Sequence, residues 1–561
     1  MVEHLDRTLR ERQLVTLRIG WGAALIAVVT FLAIFFAWPV GAMLLRGILD
    51  DAGALDLSAF GEVLAAPRTW HIVGHTLTMA VLGTAGSVVF GLPAAYILYR
   101  TDFPGRTVLR SITLVPFVLP TVVVGVAFRA LLGSNGPLGF LGLDQTTGAV
   151  VAAMVFFNIS LIARQVGGLW QMLDPRTVEA ARSLGASRAR AFWTITRPAL
   201  TPAIGASAGL VFLYCSTAYS LVRTLGSPGV GTLETEVFRQ TQTFLDLRTA
   251  AVFSALQVVF VLASVWLTQR LSHRATTALR LQHPVRQPLT RTDWFPLTAT
   301  MFAVVVIILL PMVTLVERSL ITDDGYGLDN YRLLVTSSGS GFAGGTTAAQ
   351  ALEHSLKIAL DATIITLIAA MLISLIITRD AKHPILARGQ RFLDTFIMLP
   401  MGVSSVTIGF GFLVSIHAVN PALGQSGVLV PLAQAVVALP LVVRTLVPVL
   451  AAVDPKQRQA AAVLGAPPAR VLRTIDGPYL LRAMGLAAGL SFSVALGEFG
   501  ATSFLASPDY QTLPVYIVRL LNRPGADNFG MALAAAVVLG IVASIALLLG
   551  DRIRPRLRRS A

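Results

Sequence analysis

Glu179 and Gln459 stand 280 residues apart in the same local setting, and that setting is the strongest sign of chemistry in the chain. A carboxylate at Glu179 can make a charge-assisted hydrogen bond. Gln459 offers a neutral hydrogen bond at the matching position. Around them, Asp174-Pro175, Glu179-Ala180-Ala181, Leu184-Gly185-Ala186, Ile195 and Pro198 recur as Asp454-Pro455, Gln459-Ala460-Ala461, Leu464-Gly465-Ala466, Ile475 and Pro478. Over 174–200 the ungapped repeat keeps 13 of 27 residues. Each aspartate is placed to cap a helix, with proline at its first position. The paired alanines give that helix a small face, and Gly185 and Gly465 are placed to end it with positive φ. A second short amphipathic helix is expected next, with Ile195 and Ile475 as its apolar contacts, stopped by Pro198 and Pro478. The product is a helix–turn–helix bracket, twice.

Other reactive side chains are sparse. The chain holds no G-x-x-x-x-G-K-[ST] loop, and its lysines are Lys357, Lys382 and Lys456, so it does not cradle a nucleotide in the P-loop manner. No Cys/His cluster suggests a metal site. His71 and His75 form the one helical i,i+4 histidine pair, which reads better as a polar helix end than as a ligand pair. The single cysteine, Cys215, excludes an intramolecular disulfide. Charged groups inside membrane helices usually face the bundle interior or a wet cavity. Glu498 is therefore a candidate for a substrate path, although its late position in its helix also suits an interfacial or structural role. Tyr214, Ser216 and Tyr219, in the matching span of the first half, are comparable candidates.

The elements that position these residues are membrane helices. The chain is 55% hydrophobic and 13% charged, and its mean hydropathy is +0.72. A soluble domain carries roughly 25% charged residues. Runs long enough to cross a bilayer as helix fall at 21–45, 72–99, 108–133, 148–170, 200–222 and 247–269, then at 294–316, 353–378, 392–416, 427–450, 481–506 and 528–550. The third and ninth hold Pro116, Pro120 and Pro400, which implies kinks. Short alternating strands of a membrane barrel are absent. With the N-terminus inside, cytoplasmic segments hold 33 of the 44 Lys+Arg and external loops hold eight. This asymmetry puts both termini in the cytoplasm. It also places the net charge of +15 against anionic lipid rather than nucleic acid. The first apolar run is too long for a signal peptide and reads as a retained helix.

These residues resemble the EAA signature of binding-protein-dependent ABC importer permeases: Glu179-Ala180-Ala181, Gly185 and Ile195-Thr196-Arg197-Pro198, with a second copy at Gln459-Ala460-Ala461, Gly465 and Ile475-Asp476-Gly477-Pro478. The stretches from Thr232-Leu233-Glu234 to Gln257, and from Gly497-Glu498-Phe499-Gly500 to Thr512-Leu513-Pro514, are similar to the ferric-iron and thiamine branch. The resemblance implies an all-α membrane protein of about twelve spans, two tandem six-helix type I units in one chain. A cytoplasmic segment 1–20 precedes a first unit 21–269 with its EAA loop at 171–198. A linker 270–293 joins it to a second unit 294–550 with its loop at 451–478, and a basic tail 551–561 follows. It also implies that Glu179, Ala180, Ala181, Gly185, Ile195 and Pro198, with Gln459, Ala460, Ala461, Gly465, Ile475 and Pro478, couple to two copies of a cytoplasmic ABC ATPase. That ATPase would carry ATP and magnesium, leaving no cofactor on this chain. An extracytoplasmic solute-binding protein would deliver ferric iron or thiamine across the bacterial inner membrane. Two other classes stay open at this point. An ion-coupled secondary transporter also shows internal repeats, but it has no use for the repeated bracket. A membrane enzyme or scaffold would need convergent catalytic groups.

Overall fold

Among the described residues, ten apolar helices are long enough to cross a membrane: Gly22–Ile48, Pro67–Arg100, Thr147–Trp170, Arg188–Ser216, Leu247–Trp266, Arg291–Ser319, Ala348–Ile377, Leu429–Ala451, Ala469–Gly497 and Ala526–Gly550. The computed structural model describes residues 22–50, 52–227, 229, 231–273, 286–322, 325–337, 339, 346–378, 388–390, 393–394, 396–397, 403–417, 419, 427–507 and 510–552. The described residues are helical apart from a few two-residue strands and the connecting loops.

The third expected span is a bent pair. Arg106–Val118 and Thr121–Leu132 meet at 107°. Pro120 forces the bend. A residue before proline is driven out of the α region, and Leu119 is extended, with φ −75° and ψ 137°. Pro116 lies inside the first segment without breaking it. The ninth expected span, 392–416, falls partly outside the described residues, as does Pro400. Its described part includes the shorter helix Ser405–His417.

Packing divides the chain into two units that cut across the linear halves. One holds residues 47–348 and 516–539. Its core joins Met79, Met154, Phe156, Ile162 and Val211 to Ile308, which comes from the seventh expected span. Helices Pro67–Arg100 and Thr147–Trp170 approach closely here, because a Cβ on Gly91 would lie 2.6 Å from Ile162. Small residues at helix crossings are the membrane route to tight packing. The other unit holds the described residues of 22–46, 349–515 and 540–552. Its core sets Val28 and Leu32 of the first helix against Ile373, Leu439, Val442 and Leu446. The opening helix of each half thus packs within the unit built mainly from the other half.

The fifth and eleventh spans both end earlier than their hydropathy suggests. The helix expected over 200–222 stops at Ser216, and Tyr219–Leu225 starts a separate helix. The helix expected over 481–506 stops at Gly497. Glu498 explains the second break. Its backbone is extended, and its carboxylate accepts the Ala501 N–H at 2.8 Å, the Thr502 N–H at 3.0 Å and the Thr502 hydroxyl at 2.6 Å. Charges at span edges are likewise held. Arg129 donates to the Thr224 carbonyl, Arg248 pairs with Asp56 at 2.7 Å, and Lys357 pairs with Glu353 at 2.6 Å. The Ser58 N–H and the Arg248 guanidinium hold the Asp56 carboxyl down at about 2.

Candidate functional site

Both brackets form, and they form alike. Asp174 Oδ1 accepts the Arg176 N–H at 3.0 Å, and Asp454 Oδ1 accepts the Lys456 N–H at 2.8 Å. Each cap opens a nine-residue helix with proline at its start, Pro175–Ser183 and Pro455–Val463. The C-termini close as Schellman turns. Ala186 N–H reaches the Ala181 carbonyl and Gly185 N–H reaches the Arg182 carbonyl; Ala466 and Gly465 do the same to Ala461 and Ala462. The glycines carry φ of +88° and +79°. A Cβ at either would meet nothing within 4 Å, so the turn selects glycine for backbone reasons, not for space.

The second arm differs from the sequence expectation. Pro198 and Pro478 do not stop a short helix. Arg188–Ala191 runs through a π turn, Phe192–Thr196, straight into Arg197–Ser216. Pro468–Val471 does the same through Leu472–Asp476 into Gly477–Gly497. In each π turn a backbone N–H reaches back five residues, from Arg197 to Phe192 and from Gly477 to Leu472. This register shift accommodates the following proline, which has no N–H to give. The second arm of each bracket is thus the continuous lead-in of a spanning helix. Ile195 and Ile475 are half-buried within it.

The faces match as well. Glu179, Ala180, Gln459 and Ala460 are exposed, while Ala181 and Ala461 are half-buried. Sequence reasoning passed over the most exposed apolar groups at the site. Leu184 is 90% exposed, and Val463 and Leu464 are each 86% exposed. The identical leucine in both copies, at a polar helix end with nothing apolar to pack on, was the available signal.

The brackets are anchored by different chemistry. In the second, Arg458 donates to Asp476 at 2.8 Å and to the Leu450 carbonyl at 3.3 Å, and the Asp476 side chain is only 1% exposed. The first copy has Val178 and Thr196 at those positions. There Arg100, itself buried, donates to the Leu173 carbonyl at 3.3 Å and lies within electrostatic reach of Glu179 and Asp174.

The substrate-path candidates are held in different local settings. Tyr214 is 41% exposed on its helix. Ser216 is buried and donates to the Leu213 carbonyl. Tyr219 is buried beside Phe238, with ring centroids 5.8 Å apart. Glu498 belongs to the other packing unit, and both its oxygens cap the Ala501–Thr502 turn. Gln434 donates to the same Thr502 hydroxyl at 3.1 Å. A second buried acid, Glu234, accepts from Gln257, which also reaches the Ser216 carbonyl. His75 contacts the Gly231 carbonyl at 3.3 Å and the Thr147 hydroxyl at 3.0 Å.

A helical membrane bundle carrying two copies of one capped, solvent-facing bracket defines a duplicated transport permease. Residues 87–277 and 384–559 each match the family described as binding-protein-dependent transport system inner membrane component, and the chain belongs to that family. The thiamine transport system permease protein ThiP of Brucella suis is 25% identical over 527 residues, covering 91% of this chain and 92% of that one. The protein of the same name from Escherichia coli K12 is 25% identical over 465 residues, covering 81% and 84%. A probable ABC transporter permease of Sinorhizobium fredii, y4fN, is 24% identical over 554 residues, covering 94% of each chain.

Proposed function

We propose that the two brackets dock on two copies of a cytoplasmic ATPase that holds ATP and magnesium, and that this chain forms the translocation path for a thiamine-class solute delivered by an extracytoplasmic binding protein. The observation that carries the coupling role is the pair of brackets, each presenting a largely exposed leucine and a polar Glu179 or Gln459 beside an arm that runs on into a spanning helix. A displacement applied there moves the span with it. The thiamine names of full-length relatives move thiamine ahead of ferric iron. Proteoliposomes with this chain, its ATPase and its binding protein should take up labelled thiamine only when ATP and both partners are present. Uptake without the ATPase would sink the reading in favour of an ion-coupled transporter.

The charge at Glu179 gives a sharper test of docking. Charge-assisted hydrogen bonds contribute about 1.5–3 kcal/mol and neutral ones about 0.5–1.5. Glu179→Ala should therefore weaken ATPase retention more than Gln459→Ala does, with avidity from the other bracket masking part of the loss. Equal or reversed damage would show that the charge does not distinguish the two docking sites.

Both brackets and both termini belong on the cytoplasmic face in this reading, supported by the basic asymmetry of the loops. Cysteines placed at Ser187 and Pro467 should be shielded from an impermeant thiol reagent outside intact cells. Cysteines at the exposed outer-loop positions Leu141 and Tyr326 should be labelled. The native Cys215 is buried and gives little background. Labelling of the 187 or 467 position from outside contradicts this topology.

A further inference from the structure

The end of the segment that joins the two halves is fastened to the first bracket. Gln287 and Pro288 pair in parallel with Thr101 and Asp102, just beyond the helix Pro67–Arg100. Thr290 and Asp293 then form a capping box that starts the helix Arg291–Ser319, with the Thr290 N–H and hydroxyl on Asp293 Oδ2 at 2.9 and 2.7 Å. The other carboxylate oxygen, Oδ1, accepts the Tyr96 hydroxyl at 3.0 Å. Asp293 is only 8% exposed, so both its oxygens are committed to protein donors in a place where water would not replace them easily.

The same few residues meet the bracket from the other side. Arg188, the first residue of the bracket's second arm, donates to the Thr292 hydroxyl. That hydroxyl lies 2.9 Å from the Thr290 hydroxyl. The Tyr96 ring packs on Trp170, the last residue of the helix before the bracket, with centroids 5.2 Å apart. Trp170 packs in turn on Phe192 of the π turn at 6.1 Å. The helices entering and leaving the first bracket therefore converge on Tyr96, Thr292 and Asp293.

We propose that residues 286–293 act as a coupling strut, through which movement of the first bracket is applied directly to the N-terminal end of the helix Arg291–Ser319. Thr292 and Tyr96 are positioning residues: they touch neither ATPase nor solute, and act through Arg188 and Asp293. Coupling between sites is carried by packed chains and hydrogen-bond networks tied to rigid elements, and here the rigid element is a helix of 29 residues. A fused chain gains from this contact a link that two separate permease chains would have to make across a subunit boundary. The inference rests on the brackets being the ATPase docking sites.

Thr292→Val removes the hydroxyl that Arg188 reaches while keeping the side-chain shape. Tyr96→Phe removes the Asp293 contact while keeping the ring on Trp170. In reconstituted complexes both variants should retain the ATPase and hydrolyse ATP without binding protein within twofold of wild type. Hydrolysis stimulated by loaded binding protein, and solute taken up per ATP, should fall at least fivefold. Thr292→Ser restores the acceptor and should restore both. The Thr292→Val/Tyr96→Phe double variant should lose at least as much as the poorer single, because the two changes cut separate contacts between the bracket and the same helix end. Uptake per ATP within twofold of wild type in both variants would overturn the strut alone, as would a loss that Thr292→Ser fails to rescue. Failure of the wild-type chain to retain the ATPase at all, with uptake intact, would overturn the bracket reading and the strut together.

Discussion

Gly185→Val and Gly465→Val should each cripple ATPase association while leaving the membrane bundle intact. The two glycines sit at φ of +88° and +79°, inside the Schellman turns that close the bracket helices. A β-branched residue is a genuine outlier in that region, and such strain costs of order 1–3 kcal/mol. Nothing lies within 4 Å of an added Cβ at either position, so the new side chain gains no packing to offset the strain. The strain is therefore relieved by opening the turn, which moves Leu184 or Leu464 away from where a partner would meet it. A population shift of about 5- to 150-fold follows from that energy. Gly185→Asn is the control. Asparagine tolerates the left-handed region, so this variant should bind the ATPase far better than the valine variant. Copurification of the ATPase from detergent extracts, normalised to the amount of permease inserted, reads the result. Valine variants that retain the ATPase at wild-type level would show that the turn geometry does not serve docking.

Much of this was legible in residue types because the repeat supplied two readings of each position. The Asp-Pro caps and the glycine turns are local devices, set by backbone hydrogen bonding within a few residues, and both copies adopt the expected form. Pro198 and Pro478 misled for a physical reason. Proline usually ends a helix when an N–H is required, but a π turn shifts the register so that the missing donor falls where none is needed. The early ends of the fifth and eleventh spans were hidden by hydropathy, since Thr217-Ala218 and Phe499-Gly500-Ala501 are apolar enough to pass as helix. Only the three hydrogen bonds gathered by Glu498 reveal the second of these breaks. The packing of each half's opening helix within the other unit leaves no local trace at all. It depends on which apolar faces meet, and membrane helices carry little periodicity to say so.

The anchoring of the second bracket yields the other large effect. Arg458→Val should unfasten the bracket from the helix it drives. Asp476 is 1% exposed and Arg458 19% exposed, so their ion pair is largely out of water. Breaking a buried pair by removing one partner costs about 3–5 kcal/mol, and Arg458→Val takes from Asp476 the guanidinium bond at 2.8 Å. The first bracket shows how the same backbone manages without the pair, because Val178 and Thr196 occupy the two positions there. The Arg458→Val/Asp476→Thr double variant installs that arrangement in the second bracket. It should recover most of what the single variant loses, since replacing both partners of a buried pair is often close to neutral. Thermal unfolding of the purified permease and retention of the ATPase should move together, low for Arg458→Val and near wild type for the double variant. An additive outcome, with the double variant as damaged as the sum of Arg458→Val and Asp476→Thr, would show that the two residues act separately and that the buried pair is not what holds the bracket.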